Sequence, residues 1–329
     1  MKLDWRLVLV LILSLGLMIS CEDTDDDDDD FDAYAELTGH MDEMGYDANE
    51  VIADWIISAA AVNDAGAETY LVIDIRGADD YNAGHIPGAV NSALADVITT
   101  ADANYSPTTH SSGILVACYT GNSAGHAVMA LRLSGYDNAR VLLFGMSSWN
   151  STLAVWDTKT GDIAIDSENW TTDATAAGSY DAATISTDLE DGAAILAERV
   201  EYMLSEFSKV TGAEVLAAPA NYQIINFWPL EDAGVNPYEY YGHFVGAVQG
   251  PPGTITIAND GLSVLDPASI NVIYCWTGQT SSMMTAWLKV VGYNAKSLAF
   301  GVNGLIYSNL EAHKWSDGAK NDFDLEVSE

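Results

Sequence analysis

The sequence predicts an α/β protein built from two consecutive units, each a small parallel sheet covered by helices on both faces. Three observations predict it. The chain of 329 residues repeats itself: YLVIDIRGADDYNAGHIPGAVN (70–91) parallels YQIINFWPLEDAGVNPYEYYGHFVGAVQG (222–250), and ILVACYTGNSAGHAVMALRLSGYDNARVLLFG (114–145) parallels NVIYCWTGQTSSMMTAWLKVVGYNAKSLAFG (271–301). Self-similarity at a nearly constant offset is the mark of a duplicated structural unit. Within each copy, short runs of aliphatic and β-branched residues without polar alternation read as strands buried on both faces, as parallel strands are. Segments with helical apolar spacing lie between them, and a strand, helix, strand series closes into a parallel sheet wrapped by helices.

Taken in order, the first unit opens with an amphipathic helix predicted over 50–62, with Val51, Ile52, Trp55, Ile56 and Ala59 facing inward. Strands follow at 70–74, 114–117 and 141–144. The helix between the last two, 123–133, turns Ala127, Met129, Ala130 and Leu133 to one side and stops at Gly135. The second unit opens with a helix over 193–207, with Leu196, Val200, Met203, Leu204 and Phe207 inward. The Thr-, Asp-, Ser- and Gly-rich stretch before it has weak periodicity and reads as a linker. The resulting map is a first domain at 49–157, a linker at 158–191, a second domain at 192–318 and a tail at 319–329.

Charge excludes one class of partner. Forty-eight acidic residues stand against twelve basic ones, a formal net charge of −36, and such a surface repels phosphate backbones and anionic headgroups. Nucleic acid is not an expected partner. At the N-terminus, Lys2 and Arg6 precede an apolar run from Leu7 to Ile19 that ends at Ser20-Cys21. This resembles a bacterial lipoprotein signal peptide over 1–21, which implies export, acylation of Cys21 and a membrane held through that lipid, on the periplasmic side of either membrane or at the cell surface. The run is short for a membrane span. Behind Cys21, Glu22-Asp23-Thr24 and six aspartates (25–30) repel one another, so 22–48 is expected to be an extended acidic tether.

With Cys21 acylated, only Cys118 and Cys275 remain. An exported protein normally pairs its thiols or dispenses with them, so these two either bridge each other or are reactive. Each lies directly after an apolar strand and directly before a helix. Ligands bind beyond the carboxyl ends of parallel strands, and a helix N-terminus offers free amides and a partial positive charge there, which favours thiolate over thiol. Gly121 lets the first loop curl so that successive amides point inward around an anion, and Gly278 repeats it. The loop residues Tyr119, Thr120, Gly121, Asn122, Ser123 and Ala124, and Trp276, Thr277, Gly278, Gln279 and Thr280, are therefore the candidate substrate cradle.

The loop pattern CxxGx[ST][AS], together with Asp74, Arg76, Tyr81 and Gly84-His85-Ile86-Pro87-Gly88-Ala89, resembles the rhodanese (sulfurtransferase) family. The resemblance spans 49–157 and, in weaker form, 195–315, where Asn226, Trp228 and GHFVGA (242–247) stand in the corresponding places. It implies two tandem rhodanese-like domains, the second degenerate, with Cys118 as the persulfide-forming residue and Cys275 as a second one. It further implies a small sulfur or selenium compound or a thiol acceptor as the reaction partner, and no cofactor. Asp74 and Arg76 read as an ion pair bracing the site, and His85 as the holder of a turn. Ser123 and Thr280 are placed to bond sulfur or cap the helix, and Trp276 to pack. His126, in the first turns of the helix, is a weaker candidate proton donor or metal ligand.

Two departures bear on function. Neither loop holds an arginine or lysine, so thiosulfate would be bound by amides and hydroxyls alone, and weak activity toward it is expected. A cysteine phosphatase or arsenate reductase of related fold needs an arginine six positions after the cysteine, where Ala124 and Ser281 stand. The remaining alternatives are a non-catalytic binding or redox-sensing module and a reversible disulfide between the two cysteines. No spacing supports a metal site.

Overall fold

The structure is a computed structural model that describes residues 31–328. The signal-like segment, Cys21 and the aspartate run lie outside the described residues. Asp32 accepts hydrogen bonds from the amides of Tyr34 and Ala35 and so starts helix α1 (Ala33–Glu43). Helix α2 (Ala48–Ile52), strand β1 (Ile56–Ile57) and helix α3 (Ala59–Ala65) follow, then β2 (Tyr70–Asp74), α4 (Ala78–Ala83), β3 (Val90–Asn91) and α5 (Val97–Asn104). β4 (Gly113–Ala117) leads into α6 (Asn122–Leu133), β5 (Ala139–Leu142) and α7 (Met146–Trp149). The five strands pair in parallel in the order β1-β5-β4-β2-β3, with β4 central and fully buried.

After β6 (Trp170–Thr171) the second half repeats the plan. It holds α8 (Gly192–Leu204), β7 (Lys209–Val210), α9 (Gly212–Ala217), β8 (Tyr222–Asn226), α10 (Pro237–Tyr241), β9 (His243–Phe244), β10 (Val248–Gln249), β11 (Ile270–Tyr274), α11 (Gln279–Val290) and β12 (Ala295–Leu298). Its sheet, β7-β12-β11-β8-β10, is all parallel with the same topology, and β11 takes the central place of β4. The predicted pair of helix-covered parallel sheets is what forms.

One core joins the halves. α6 and α11 pack on each other, and Leu37, Val128, Leu131, Ile195, Met203, Met284 and Leu288 from both halves belong to a single buried cluster. α6 is therefore buried on nearly every side, unlike an amphipathic surface helix. The outer face of each sheet has its own core, Val72, Leu115 and Trp149 in the first half and Ile224, Val272 and Phe244 in the second.

Two expectations need correction. The helix predicted over 50–62 is broken: Asp54 takes a left-handed φ of 49°, and Ile56-Ile57 form an edge strand on β5, with the Val141 amide bonded to the Trp55 carbonyl at 2.8 Å. The apolar spacing was right for burial, but a distant sheet edge captured the β-branched pair. The tether predicted over 22–48 is folded from Asp32 onward, because Leu37 and Met41 of α1 are fully buried against α8; Gly192 admits this approach, since a Cβ there would press on the His40 side chain. The tail at 319–329 is bonded to the first half. Glu326 exchanges two backbone hydrogen bonds of 2.9 Å with His85, Phe323 packs edge-on against Trp149, and the Trp149 indole donates to the Asp324 carbonyl. The linker is likewise bonded along the second half, through Gly161 and Ala164 and through β6 on β9.

Candidate active site

Cys118 follows the last residue of the central strand, and its Sγ accepts a hydrogen bond of 3.1 Å from the Gly121 amide. Gly121 sits at φ 82°, the left-handed conformation that turns the chain into α6. The loop's carbonyls are tied away from the sulfur. The Cys118 carbonyl accepts from Met146 N at 2.8 Å, that of Tyr119 from Ser147 N at 3.2 Å and Ser147 Oγ at 2.8 Å, and that of Thr120 from Trp156 Nε1 at 3.0 Å. With the carbonyls held outward the curled loop presents its amide side to the sulfur, the arrangement an anionic sulfur needs. Gly145, at φ 60° under the loop, makes this possible: a Cβ there would stand 2.6 Å from Thr120 N and 2.7 Å from Gly121 N.

Beside the loop, Arg76 holds Asp74 through Nη2 to Oδ2 at 2.7 Å and Nε to Oδ1 at 3.0 Å, and gives Nη2 also to the Gly84 carbonyl at 2.6 Å. Both side chains are buried, so the pair braces the ends of β2 and α4, and removing either member would leave the other charge uncompensated. His85 is stacked on Tyr81, 3.8 Å between ring centres, with Nδ1 2.8 Å from the Tyr81 carbonyl oxygen, and so holds a turn. Tyr119 is the exposed member of the loop. Its hydroxyl bonds to Asp80, and burial followed by that carboxylate holds its pKa above the usual 10, so the phenol keeps its proton at neutral pH. A cleft of about 450 Å³ opens there, lined by Arg76, Asp80, Tyr119, Met146, Thr152 and Asp157. Hydrogen bonds from Lys320 and Trp315 hold the Asp157 carboxyl below its ordinary pKa, so it is charged.

The second loop repeats the scaffold with different chemistry. Gly278 (φ 80°) and Gly301 (φ 53°) take the places of Gly121 and Gly145, and Asn303 Nδ2 donates to the Trp276 carbonyl at 2.8 Å. Cys275 Sγ receives the Ser281 amide at 3.4 Å and lies 3.6 Å from Ser281 Oγ, which bonds to Ser297 Oγ at 2.9 Å. The hydroxyl touching sulfur is thus Ser281, not Thr280, and Ala124 stands in its place in the first half. Trp276 is stacked on Trp228 (4.2 Å) and on His313 (4.9 Å). Asn226 and Trp228 replace the ion pair by buried neutral groups.

Several sequence candidates lie elsewhere. Asn122 and Gln279 are only 5% and 1% exposed and face the opposite half of the molecule rather than a substrate. Ser123 and Thr280 make no cap to their helices, whose N-caps are Gly121 and Gly278. Both cysteines are free and buried, and among the described residues no group of three or more His, Cys, Asp or Glu gathers to hold a metal. Sequence reasoning missed the donors that tie back the loop, Met146, Ser147, Trp156 and Asn303; the glycines at 145 and 301, which recur in both repeats, were the available signal.

His126 is fully buried at the seam of the halves, with Nδ1 3.0 Å from Ser282 Oγ and its ring edge-on to Phe207. Burial first, and then the charge of Lys289, push its pKa from 6.5 down to about 3, so it stays neutral and serves no proton transfer at the sulfur. A depressed folded value means the stability tied to the uncharged ring is complete above pH 6.5 and is lost as pH falls toward 3. Between pH 7 and pH 5 this amounts to about 2 kcal/mol, at roughly 1.4 kcal/mol per pH unit below 6.5. Urea unfolding at the two pH values should show the wild type losing that much more than His126→Leu; equal losses would remove His126 as the cause.

Residues 58–152 match the family model described as a rhodanese-like domain. Among curated proteins, the thiosulfate sulfurtransferase GlpE of Pseudomonas entomophila is 40% identical over 89 residues, 26% of this chain and 75% of that protein. GlpE of Pseudomonas fluorescens is 36% identical over 97 residues, 29% of this chain and 80% of its own length. Among solved structures, the thiosulfate sulfurtransferase from Pseudomonas aeruginosa aligns with 86% of this chain and 48% of its own, at 20% identity and a TM-score of 0.29.

Proposed function

Because the chain belongs to the rhodanese family, we propose that it is a sulfurtransferase or sulfane-sulfur carrier that works through a persulfide on Cys118. The observation that carries this is the Cys118 sulfur at the end of the central strand, receiving the Gly121 amide while the loop carbonyls are bonded outward. In the first step the Cys118 thiolate attacks the outer sulfur of a sulfane donor. A new S–S bond forms, the donor's own bond to that sulfur breaks, and the electron pair leaves with the donor remnant. The resulting Cys118 persulfide anion is stabilised by the amides of the loop. A nucleophilic acceptor then takes the terminal sulfur and returns the thiolate, so no cofactor enters the balance.

The curated relatives above are named for thiosulfate, a dianion. Here Arg76, beside the site, is committed to Asp74 and Gly84, and the adjoining cleft carries the side chains of Asp80 and Asp157. These charges disfavour a small dianion such as thiosulfate and favour a neutral or singly charged donor: a protein persulfide, an organic polysulfide or a selenium compound of low charge. The test is intact mass after exposure of the reduced protein to polysulfide or to thiosulfate, with the modified peptide located. A gain of one sulfur at Cys118 is expected, faster with an organic polysulfide than with thiosulfate. An unchanged mass in folded protein would favour a non-catalytic binding or redox-sensing module. Sulfur found also at Cys275 would extend the carrier role to the second half.

The same proposal places the protein outside the cytoplasm, held to a membrane by a lipid on Cys21; the charged n-region, apolar run and Ser20-Cys21 junction support it. Metabolic labelling with palmitate should tag the full-length chain and fail on Cys21→Ser; equal labelling of both would defeat the anchor.

A further inference from the structure

The two cysteine loops are locked together by a reciprocal exchange. Gln279, the first residue of α11, reaches into the first half, where its Oε1 accepts from the Phe144 amide at 2.8 Å. That oxygen lies against Gly121, where any Cβ would collide with it. Asn122, the first residue of α6, does the same in return: Oδ1 accepts from the Phe300 amide at 3.1 Å, Nδ2 donates to the Thr277 carbonyl at 3.2 Å, and Oδ1 would lie 3.0 Å from a Cβ on Gly278. Phe144 and Phe300 hold equivalent, left-handed places just before Gly145 and Gly301. The seam is closed further by Ser282, whose hydroxyl donates to the Asn122 carbonyl at 2.5 Å.

We propose that Gln279 and Asn122 are positioning residues that act across the seam, each shaping the cysteine loop of the other half. Gln279 grips both sides of the first site at once. It bonds the turn that carries Gly145 under the loop, and it presses on Gly121, the residue whose amide bonds the Cys118 sulfur. The second half, though its ion pair is gone, is then a working part of the first site. Because the acceptor is buried, a Phe144 amide left without it has no water to turn to, and the turn must shift to find a partner.

As a role in sulfur transfer this rests on the function proposed above, so the experiment reads loop integrity by a chemistry in which sulfur transfer plays no part. In the full chain, modification of Cys118 by iodoacetamide is followed on the Cys118 peptide by mass spectrometry, beside polysulfide loading. Gln279→Met keeps shape and removes the acceptor; Gln279→Glu keeps the acceptor. Alkylation of Cys118 should accelerate about tenfold in Gln279→Met, the equivalent of one buried hydrogen bond, and stay near the wild-type rate in Gln279→Glu, while sulfur loading slows in the first and holds in the second. Should Gln279→Met not fold, Gln279→Asn withdraws the acceptor by one methylene and is read the same way. A folded Gln279→Met with wild-type alkylation of Cys118, or Gln279→Glu behaving like Gln279→Met, would overturn the proposal. The expected alkylation pattern without sulfur loading in any protein, wild type included, would sink the proposed function and leave the clamp standing.

Discussion

Cys118→Ser will fold like the wild type and take up no sulfur at position 118. A serine hydroxyl is smaller than the thiol but still offers an oxygen to the Gly121 amide, so the loop keeps its internal bond, and the cost in stability should stay near 1 kcal/mol, the centre of the range for single substitutions. Chemistry is lost altogether, because an alcohol at neutral pH neither attacks a sulfane sulfur nor forms a persulfide. Mass measurement after polysulfide, with urea unfolding as the control for folding, checks both halves of this expectation. Cys275→Ser in the same assay should keep the Cys118 signal. Its sulfur lies in a separate loop, under a tryptophan packed between Trp228 and His313, and its hydrogen bonds run to Ser281 rather than to the first site. A full loss of sulfur uptake in Cys275→Ser alone would move the reactive centre to the second half.

Gly145→Ala is expected to be strongly damaging to both stability and sulfur loading. At φ 60° and ψ −152° the backbone is in a region open to glycine and strained for any L side chain, which alone costs about 1–3 kcal/mol. The added Cβ also meets Thr120 N at 2.6 Å, Gly121 N at 2.7 Å and the Cys118 carbonyl, all backbone atoms that cannot rotate away, and overpacking of this kind costs a further 1–3 kcal/mol. A loss of about 3 kcal/mol or more is therefore expected in urea unfolding, together with loss of sulfur loading, since relief of the clash must move the amide that bonds the sulfur. Gly135→Ala is the matched control. Gly135 also has a positive φ, 89°, but a Cβ there has open space, so only the conformational cost of about 1 kcal/mol applies and loading should be untouched. Equal behaviour of the two variants would mean that backbone strain alone, and not the close approach beneath the loop, sets the requirement at 145.

The fold class, the duplication and the place of Cys118 at the end of a central strand were legible in the sequence because each rests on local order. Cys118 and the glycine that turns its loop are close neighbours in sequence, as are Asp74 and Arg76, and at such short range backbone geometry dictates what meets what. The 50–62 segment shows the limit of that logic: its apolar spacing serves a helix or a helix, strand, helix series equally well, and the edge of β5, far along the chain, decided between them. The same holds for the tether and tail, whose ends are folded because α8 and the His85 turn have apolar or unpaired backbone surfaces that they cover.

The sequence by itself thus determined two parallel α/β units, a cysteine at the head of each central helix, and the absence of a loop cation. Only the tertiary structure decided what the loop residues face. Asn122 and Gln279 looked like substrate ligands because they sit at helix N-termini next to a cysteine; they are buried in the opposite half because α6 and α11 pack on one another and bring the two loops nose to nose. Trp156, Met146 and Ser147, remote or inconspicuous in the sequence, hold the loop's carbonyls outward. Contacts of this kind arise where two surfaces pack and bury polar groups that must then find partners, and no local pattern in one strand of text records which partner will be near.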